Sequence, residues 1–292
     1  MGPCEAACPA GMDIPEMLRH MAAGRYDKAI EVIKEHIALP AVTGYICPAP
    51  CEKVCRREQM DTHVSIKLIK RCAALSDLAQ ESPYKPVMLP DINKRVAIIG
   101  AGPAGLGAAY HLRKNGVSCT IFDDRAEPGG MLRYEVPEQQ LPRSVLDAEI
   151  EQIRALGVEF RQGVHIGRDL KLKDLMESYD AIFLGIGNVP ESSLKTLGFE
   201  TDQKGLRINR DSLQTVIPNM FAGGDVRKGL KLAVRSLSDG RKAATGILQY
   251  LKGESVTGVK RSFNSRMGKM VPEELSRFTD YTGENNTHIN NL

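Results

Sequence analysis

The stretch Gly100-Ala101-Gly102-Pro103-Ala104-Gly105 constrains this chain more than any other. It follows a short apolar run at residues 95–99 and opens a helical pattern over 104–114. A further apolar run occupies 118–122. Strand, glycine-rich turn, helix and strand in that order start a βαβ unit, and so predict an α/β domain of the doubly wound, Rossmann-like type. Each glycine has its own task. Gly100 permits the tight turn, Gly102 lets backbone N–H groups approach a pyrophosphate, and Gly105 lets helix and strand pack closely. The helix N-terminus adds partial positive charge for the phosphates. Asp123 ends the run at 118–122, where its carboxylate can accept hydrogen bonds from adenosine ribose hydroxyls. A bare glycine motif is a weak sign, but here strand, helix and acidic residue all stand in place around it.

Five of the seven cysteines (Cys4, Cys8, Cys47, Cys51 and Cys55) lie in the first 55 residues. No basic segment followed by an apolar core opens the chain, so no secretion signal is expected and the cytoplasm is the expected compartment. An odd, clustered cysteine count in that setting favours metal ligation over disulfides. Thiolates spaced as Cys4-x3-Cys8-Pro9 and Cys47-x3-Cys51-x3-Cys55 suit an iron–sulfur cluster. Four thiolates also suit zinc. The Cys-Pro step and the neighbouring dinucleotide domain favour a [4Fe-4S] cluster. Cys72 and Cys119 read as core residues.

Helical signals surround the cysteines. Asp13-Ile14-Pro15 reads as a helix start and Gly24 as its end. Another helix is expected over 26–37, with Ala29, Ile30, Ile33 and Ile37 on one face. Pro40, Gly44, Pro48 and Pro50 read as breakers, and a third helix over 65–79 groups Ile69, Cys72 and Leu75. The predicted organisation is an α-helical iron–sulfur domain at 1–82, a proline-rich linker at 83–94, a flavin domain at 95–253 and a tail or docking arm at 254–292. Further strands are expected at 158–161, 181–184 and 219–222, and a long helix at 232–251. Net charge is only +3, from 39 basic and 36 acidic side chains, which gives no argument for nucleic acid. No apolar run reaches the roughly 18 residues that a membrane span needs.

Two more stretches bear on which dinucleotide is bound. Glu127-Pro128-Gly129-Gly130-Met131-Leu132 follows Asp123, and TVIPNMFAGGD ends at Asp225. The stretch ending at Asp225 resembles the C-terminal FAD motif of two-dinucleotide flavoproteins. Together with GRYDKAIEVI, GYICPAPCEKVC, VAIIGAGPAGLGAAYHL, EPGGMLRY and NMFAGGDVRKG, the chain resembles the glutamate synthase small subunit and the N-terminal half of dihydropyrimidine dehydrogenase up to about residue 253. That resemblance implies FAD and [4Fe-4S] cofactors. It implies flavin contacts from Gly100, Gly102, Pro103, Ala104, Gly105, Asp123, Asp124, Arg125, Gly130, Met131, Leu132, Arg133, Val164, Gly185, Ile186, Gly187, Gly224, Asp225, Leu232 and Ala233. By family position Cys8, Cys47 and Cys51 belong together, and Cys4 goes with Cys55. Relatives complete the first group with Gln or Glu, a position that falls here on Lys70, which cannot ligate while protonated. Relatives also carry further cysteines ahead of the position of Cys4. One cluster is therefore expected, drawn from the five cysteines and completed by Cys4 or Cys55, with a second possible if a partner chain contributes.

The relatives insert an NADPH-binding unit after the strand ending at Gly185. Here only about 30 residues separate Gly187 from Pro218, the size of one βαβ unit, and no second glycine fingerprint exists. Glu135 and Gln140 also replace a glycine and a cation in a loop expected near the flavin. The chain so read is an oxidoreductase subunit that passes electrons between FAD and a cluster, its partners other redox subunits or a ferredoxin-like carrier. Two readings of other classes stand beside it. One is a self-contained flavin enzyme using NAD(P)H docked on residues 129–133; the other is a structural subunit without redox chemistry. No redox Cys-x-x-Cys pair exists, which argues against disulfide exchange. Arg227, Lys228, Lys231, Arg235, Arg241 and Lys242 could dock an acidic partner or simply form a solvated helix face.

Overall fold

The computed structural model describes residues 2–259 except 197–198, 203–204 and 228–231, together with Glu273. Five parallel strands form the central sheet: β1 (Arg95–Ile99), β2 (Ser118–Asp123), β3 (Glu159–Gln162), β4 (Ala181–Leu184) and β7 (Met220–Ala222), in the order β3-β2-β1-β4-β7. Val96 pairs with Cys119 on one side and Ala181 on the other, so β1 is central. Parallel strands covered on both faces need apolar side chains on both faces, and residues 96–99 and 181–184 are buried throughout. Sequence order reverses between β1 and β4, the switch point over which such folds bind ligands.

On one face lie α6 (Pro103–Lys114) and α11 (Ala233–Leu251). Their backbones nearly touch. A Cβ on Gly240 would sit 2.3 Å from the Ala104 carbonyl oxygen, and one on Gly107 would sit 2.8 Å from that of Leu237. The opposite face carries α9 (Leu172–Ser178) and a short stretch formed by α10 (Glu191–Thr196) and the hairpin β5 (Thr201–Asp202) and β6 (Gly205–Leu206). Between β4 and β7, that stretch is the only regular structure among the described residues.

The N-terminal half is helical: α1 (Pro3–Ala7), α2 (Ile14–Ala22), α3 (Tyr26–Lys34), α4 (Pro40–Ile46) and α5 (Ile66–Leu78). Asp13 caps α2 by accepting the Glu16 N–H at 2.9 Å, as its position suggests. Ala29, Ile30, Ile33 and Ile37 are buried together. Two expectations need correction. Pro40 and Gly44 do not break the chain. Pro40 starts α4, where a missing N–H goes unnoticed. Gly44 sits inside α4 because a Cβ there would meet the Arg71 Cβ at 2.7 Å, so α4 and α5 cross at a residue without a side chain. Cys72 is exposed rather than core, because α5 turns Ile66, Lys70, Ala73, Ala74 and Asp77 inward. Cys119 is buried as expected, and burial pushes its thiol up to about 12.

Residues 83–94 are anchored at several points. Leu89 and Ile92 N–H donate to the Lys114 and Gly116 carbonyls at 2.9 Å each, and Tyr84 N–H donates to Asp77 at 2.7 Å. Residues 254–259 of the expected tail are described; the rest, Glu273 apart, lies outside the described residues, as do Lys228 and Lys231.

Candidate functional site: a dinucleotide cleft beside a cysteine cavity

The carboxyl ends of β1, β2, β4 and β7 open into a cleft of about 1260 Å³. Its floor is the fingerprint turn. Gly100 has φ +105, and a Cβ there would lie 2.4 Å from the Gly185 carbonyl oxygen. A Cβ on Gly105 would lie 1.9 Å from the Gly100 oxygen. Gly102 differs. The nearest atom to a Cβ there is the Gly130 Cα at 3.9 Å, so its bare backbone faces open space at the start of α6. That is the cradle a pyrophosphate needs. The Gly129 N–H donates to the Ala101 carbonyl at 2.9 Å. This bond pins the Gly129-Gly130 loop, just ahead of α7 (Met131–Tyr134), against the turn as the opposite wall.

Asp123 closes one end. Its carboxylate accepts the Ala101 N–H at 2.6 Å and the Arg125 N–H at 2.9 Å. Burial pushes its pKa up, while the two N–H bonds favour the charged form. A carboxylate has about four acceptor sites, so two remain for ribose hydroxyls. At the other end Gly224 has φ +76, and its N–H donates to Asp239 on α11 at 3.1 Å. That bond holds the turn presenting Asp225 to the cleft.

Of the residues expected from sequence, Gly100, Gly102, Pro103, Ala104, Asp123, Asp124, Arg125, Gly130, Met131, Val164, Gly185, Ile186, Gly187, Gly224 and Asp225 line the cleft. Five do not. Gly105 lies beneath the turn and Leu132 is fully buried. Arg133 turns away to the Pro128 carbonyl and to Asp147. Leu232 packs on the N-terminal core, and Ala233 starts α11 within the main core. The cleft also takes in His165, Gly167, Arg168, Asn188, Leu194, Phe199 and Ser236, which sequence patterning missed. Glu135 lines the cleft as expected; Gln140 is exposed outside it.

Cys8, Cys47 and Cys51 line another, apolar cavity with Pro9, Met12, Ile37, Ile66, Lys70 and Val234. Among the described residues no three His, Cys, Asp or Glu side chains close on a single metal ion. Burial and its two thiol neighbours push the Cys51 thiol up to about 12, and the Lys70 ammonium opposes that shift. Lys70 is 5% exposed and donates to Thr43 Oγ1 at 2.8 Å. Burial lowers its pKa and the three thiols hold it up. Three thiols and a cation facing one apolar cavity fit an anionic cluster, whose ligands must be deprotonated. Cys4 and Cys55 do not line this cavity; they lie near each other by α1 and the turn Glu52–Val54. The structure thus separates the five cysteines into three and two.

Comparison with known proteins divides the chain into an N-terminal and a C-terminal part. Residues 1–82 match the family described as dihydropyrimidine dehydrogenase domain II, 4Fe-4S cluster. Residues 98–165 match an NAD(P)-binding Rossmann-like domain, and 139–240 match pyridine nucleotide-disulphide oxidoreductase. The chain joins an iron–sulfur domain to a dinucleotide-binding flavin domain. It is 37% identical over 207 residues to the NADPH-Fe(3+) oxidoreductase subunit beta of Geobacter sulfurreducens, covering 70% of this chain and 30% of that one. To the NADP(+)-dependent formate dehydrogenase subunit beta of Moorella thermoacetica it is 33% identical over 256 residues, covering 77% and 36%. To the glutamate synthase [NADPH] small chain of Escherichia coli it is 38% identical over 188 residues, covering 63% and 39%. The chain therefore spans about a third of the length of the curated relatives it matches. FAD and an iron–sulfur cluster are the cofactors that this pairing of domains carries. No helix among the described residues is long and apolar enough to cross a membrane.

Proposed function

We propose that this chain is an electron-transfer component of a multisubunit oxidoreductase, exchanging electrons between FAD in the cleft and a cluster held by Cys8, Cys47 and Cys51. FAD supplies one- or two-electron chemistry and an iron–sulfur cluster supplies single-electron transfer. The chain's own residues bind and orient. Gly102 and the α6 N-terminus take the pyrophosphate, Asp123 takes the ribose, and the turn at Gly224 takes the ribityl side.

One observation carries the reading. The chain passes from β4 to β7 through α10 and a two-strand hairpin, with a single glycine fingerprint in the whole sequence. A further nucleotide domain needs more chain than these roughly 30 residues, since domains run to at least about 50. The relatives' names include NADPH and NADP(+), and this chain matches only about a third of their length. The redox partner is then another subunit or a small carrier protein, and the buried sites suit reaction inside the cell's reducing compartment.

The test is reduction of the reconstituted full chain. Dithionite is expected to bleach flavin and cluster absorbance, while NADPH alone leaves both unchanged over minutes. Rapid bleaching by NADPH without a partner would sink the proposal and favour the self-contained enzyme.

A further inference from the structure

Four consecutive residues of α11, Ser238-Asp239-Gly240-Arg241, reach both cofactor sites. Asp239 Oδ2 accepts the Gly224 N–H at 3.1 Å and so holds the flavin-side turn. Ser238 Oγ donates to the Pro9 carbonyl at 2.7 Å. Arg241 Nη2 donates to the Ala10 carbonyl at 2.8 Å, and its Nη1 lies 3.1 Å from His36 Nδ1. Pro9 and Ala10 are the middle of a turn closed by the Gly11 N–H to the Cys8 carbonyl at 2.9 Å. That turn carries the Cys8 thiol and hands both of its central carbonyls to α11. Gly240 between them seats on α6. The bonds to Pro9 and Ala10 span more than 225 residues of sequence, and with the Asp239 bond they join the cysteine cavity to the flavin cleft through one helical turn.

We propose that Ser238 and Arg241 are positioning residues that couple the two sites, so that assembling the cluster and binding FAD favour each other. Ordering the Cys8 turn fixes this segment of α11. Fixing that segment sets Asp239, and through it the Gly224 turn on which the flavin rests. Linkage then runs equally in both directions. The proposal rests on the cofactor placement given above.

The test is FAD titration by fluorescence quenching of the full chain, with the cluster reconstituted and after its removal by chelator. Native protein is expected to bind FAD about fivefold or more tightly with the cluster present, the lower range of measured couplings. Ser238→Ala and Arg241→Gln are expected to shrink that ratio toward one, without changing FAD affinity in the cluster-free form. Asp239→Asn keeps an acceptor for Gly224 and should preserve the ratio. A packing defect would weaken FAD equally in both forms, leaving the ratio intact. A native ratio of one, or a ratio unchanged in both Ser238→Ala and Arg241→Gln, overturns the coupling while leaving the site placement standing. Failure of the native chain to bind FAD in either form overturns the placement and the coupling together.

Discussion

A methyl group at Gly105 would overlap the Gly100 carbonyl oxygen outright, so the turn could not keep its shape. Gly105→Ala is expected to cost about 1–3 kcal/mol, and to abolish flavin retention; thermal melting and flavin absorbance after gel filtration check both. At the cysteines the prediction discriminates. Cys47→Ser should remove the visible cluster absorbance and lower bound iron, because Cys47 faces the cavity. Cys72→Ser should change neither, because that thiol lies in solvent. Gly100 and Gly105 were legible in sequence because a side chain at either would run into backbone. Cys72 was not. Apolar spacing alone put it inside, whereas α5 buries Lys70 and Asp77, each satisfied by a partner remote in sequence. Arg241 was legible only as a cation; half-buried, it spends its guanidinium on the Ala10 carbonyl and His36, and Arg227 leans toward Asp239 at 3.9 Å.

Between elements, Glu149 on α8 (Arg143–Ala155) binds the start of α4. Its two oxygens accept the Ala41 and Val42 N–H groups at 2.7 and 2.8 Å, which satisfies two orphan donors of a buried helix end. Burial pushes its pKa up to about 7, although the N–H bonds and nearby lysines oppose the shift. A folded pKa raised above the ordinary carboxyl value means that the native state holds the proton more tightly. The stability this contributes is complete below about pH 4.5 and is lost as pH rises through about 7. Native stability should therefore fall across that window relative to Glu149→Gln, whose pH slope should be flatter; urea unfolding at several pH values measures it. The contact lay beyond sequence reading because its partners are more than 100 residues apart. Helix α4 was hidden for a different reason. Proline and glycine are breakers in general, but here one sits at a helix start and the other at a crossing.

Across the whole molecule, the iron–sulfur half and the flavin half share buried polar bonds. Lys34, 3% exposed, uses its donors on Asp77 at 2.7 Å, the Tyr84 carbonyl at 3.1 Å and Gln152 Oε1 at 3.0 Å. It thereby ties α3, α5, the connecting segment and α8 together. Lys34→Met leaves Asp77 buried without its cation and is expected to cost about 3–5 kcal/mol. The native chain should unfold in one calorimetric transition, and the variant should melt earlier or in two steps. The division into two halves could be read from the cysteine block, the prolines and the glycine turn. The way they lock together could not, since every bond across the boundary named above links residues remote in sequence.

The close crossing of α6 and α11 also sets an order of events during synthesis. Helix α6 emerges early and carries the phosphate turn, yet its backbone at Ala104, Gly107 and Ala108 is met by Leu237 and Gly240 of α11, which is made much later. A growing chain released before that point leaves the α6 surface around Ala104 and Ala108, both buried in the finished protein, without its partner helix. Flavin loading must accordingly wait until translation has passed α11, and shortened products that end ahead of it should be sticky and colourless.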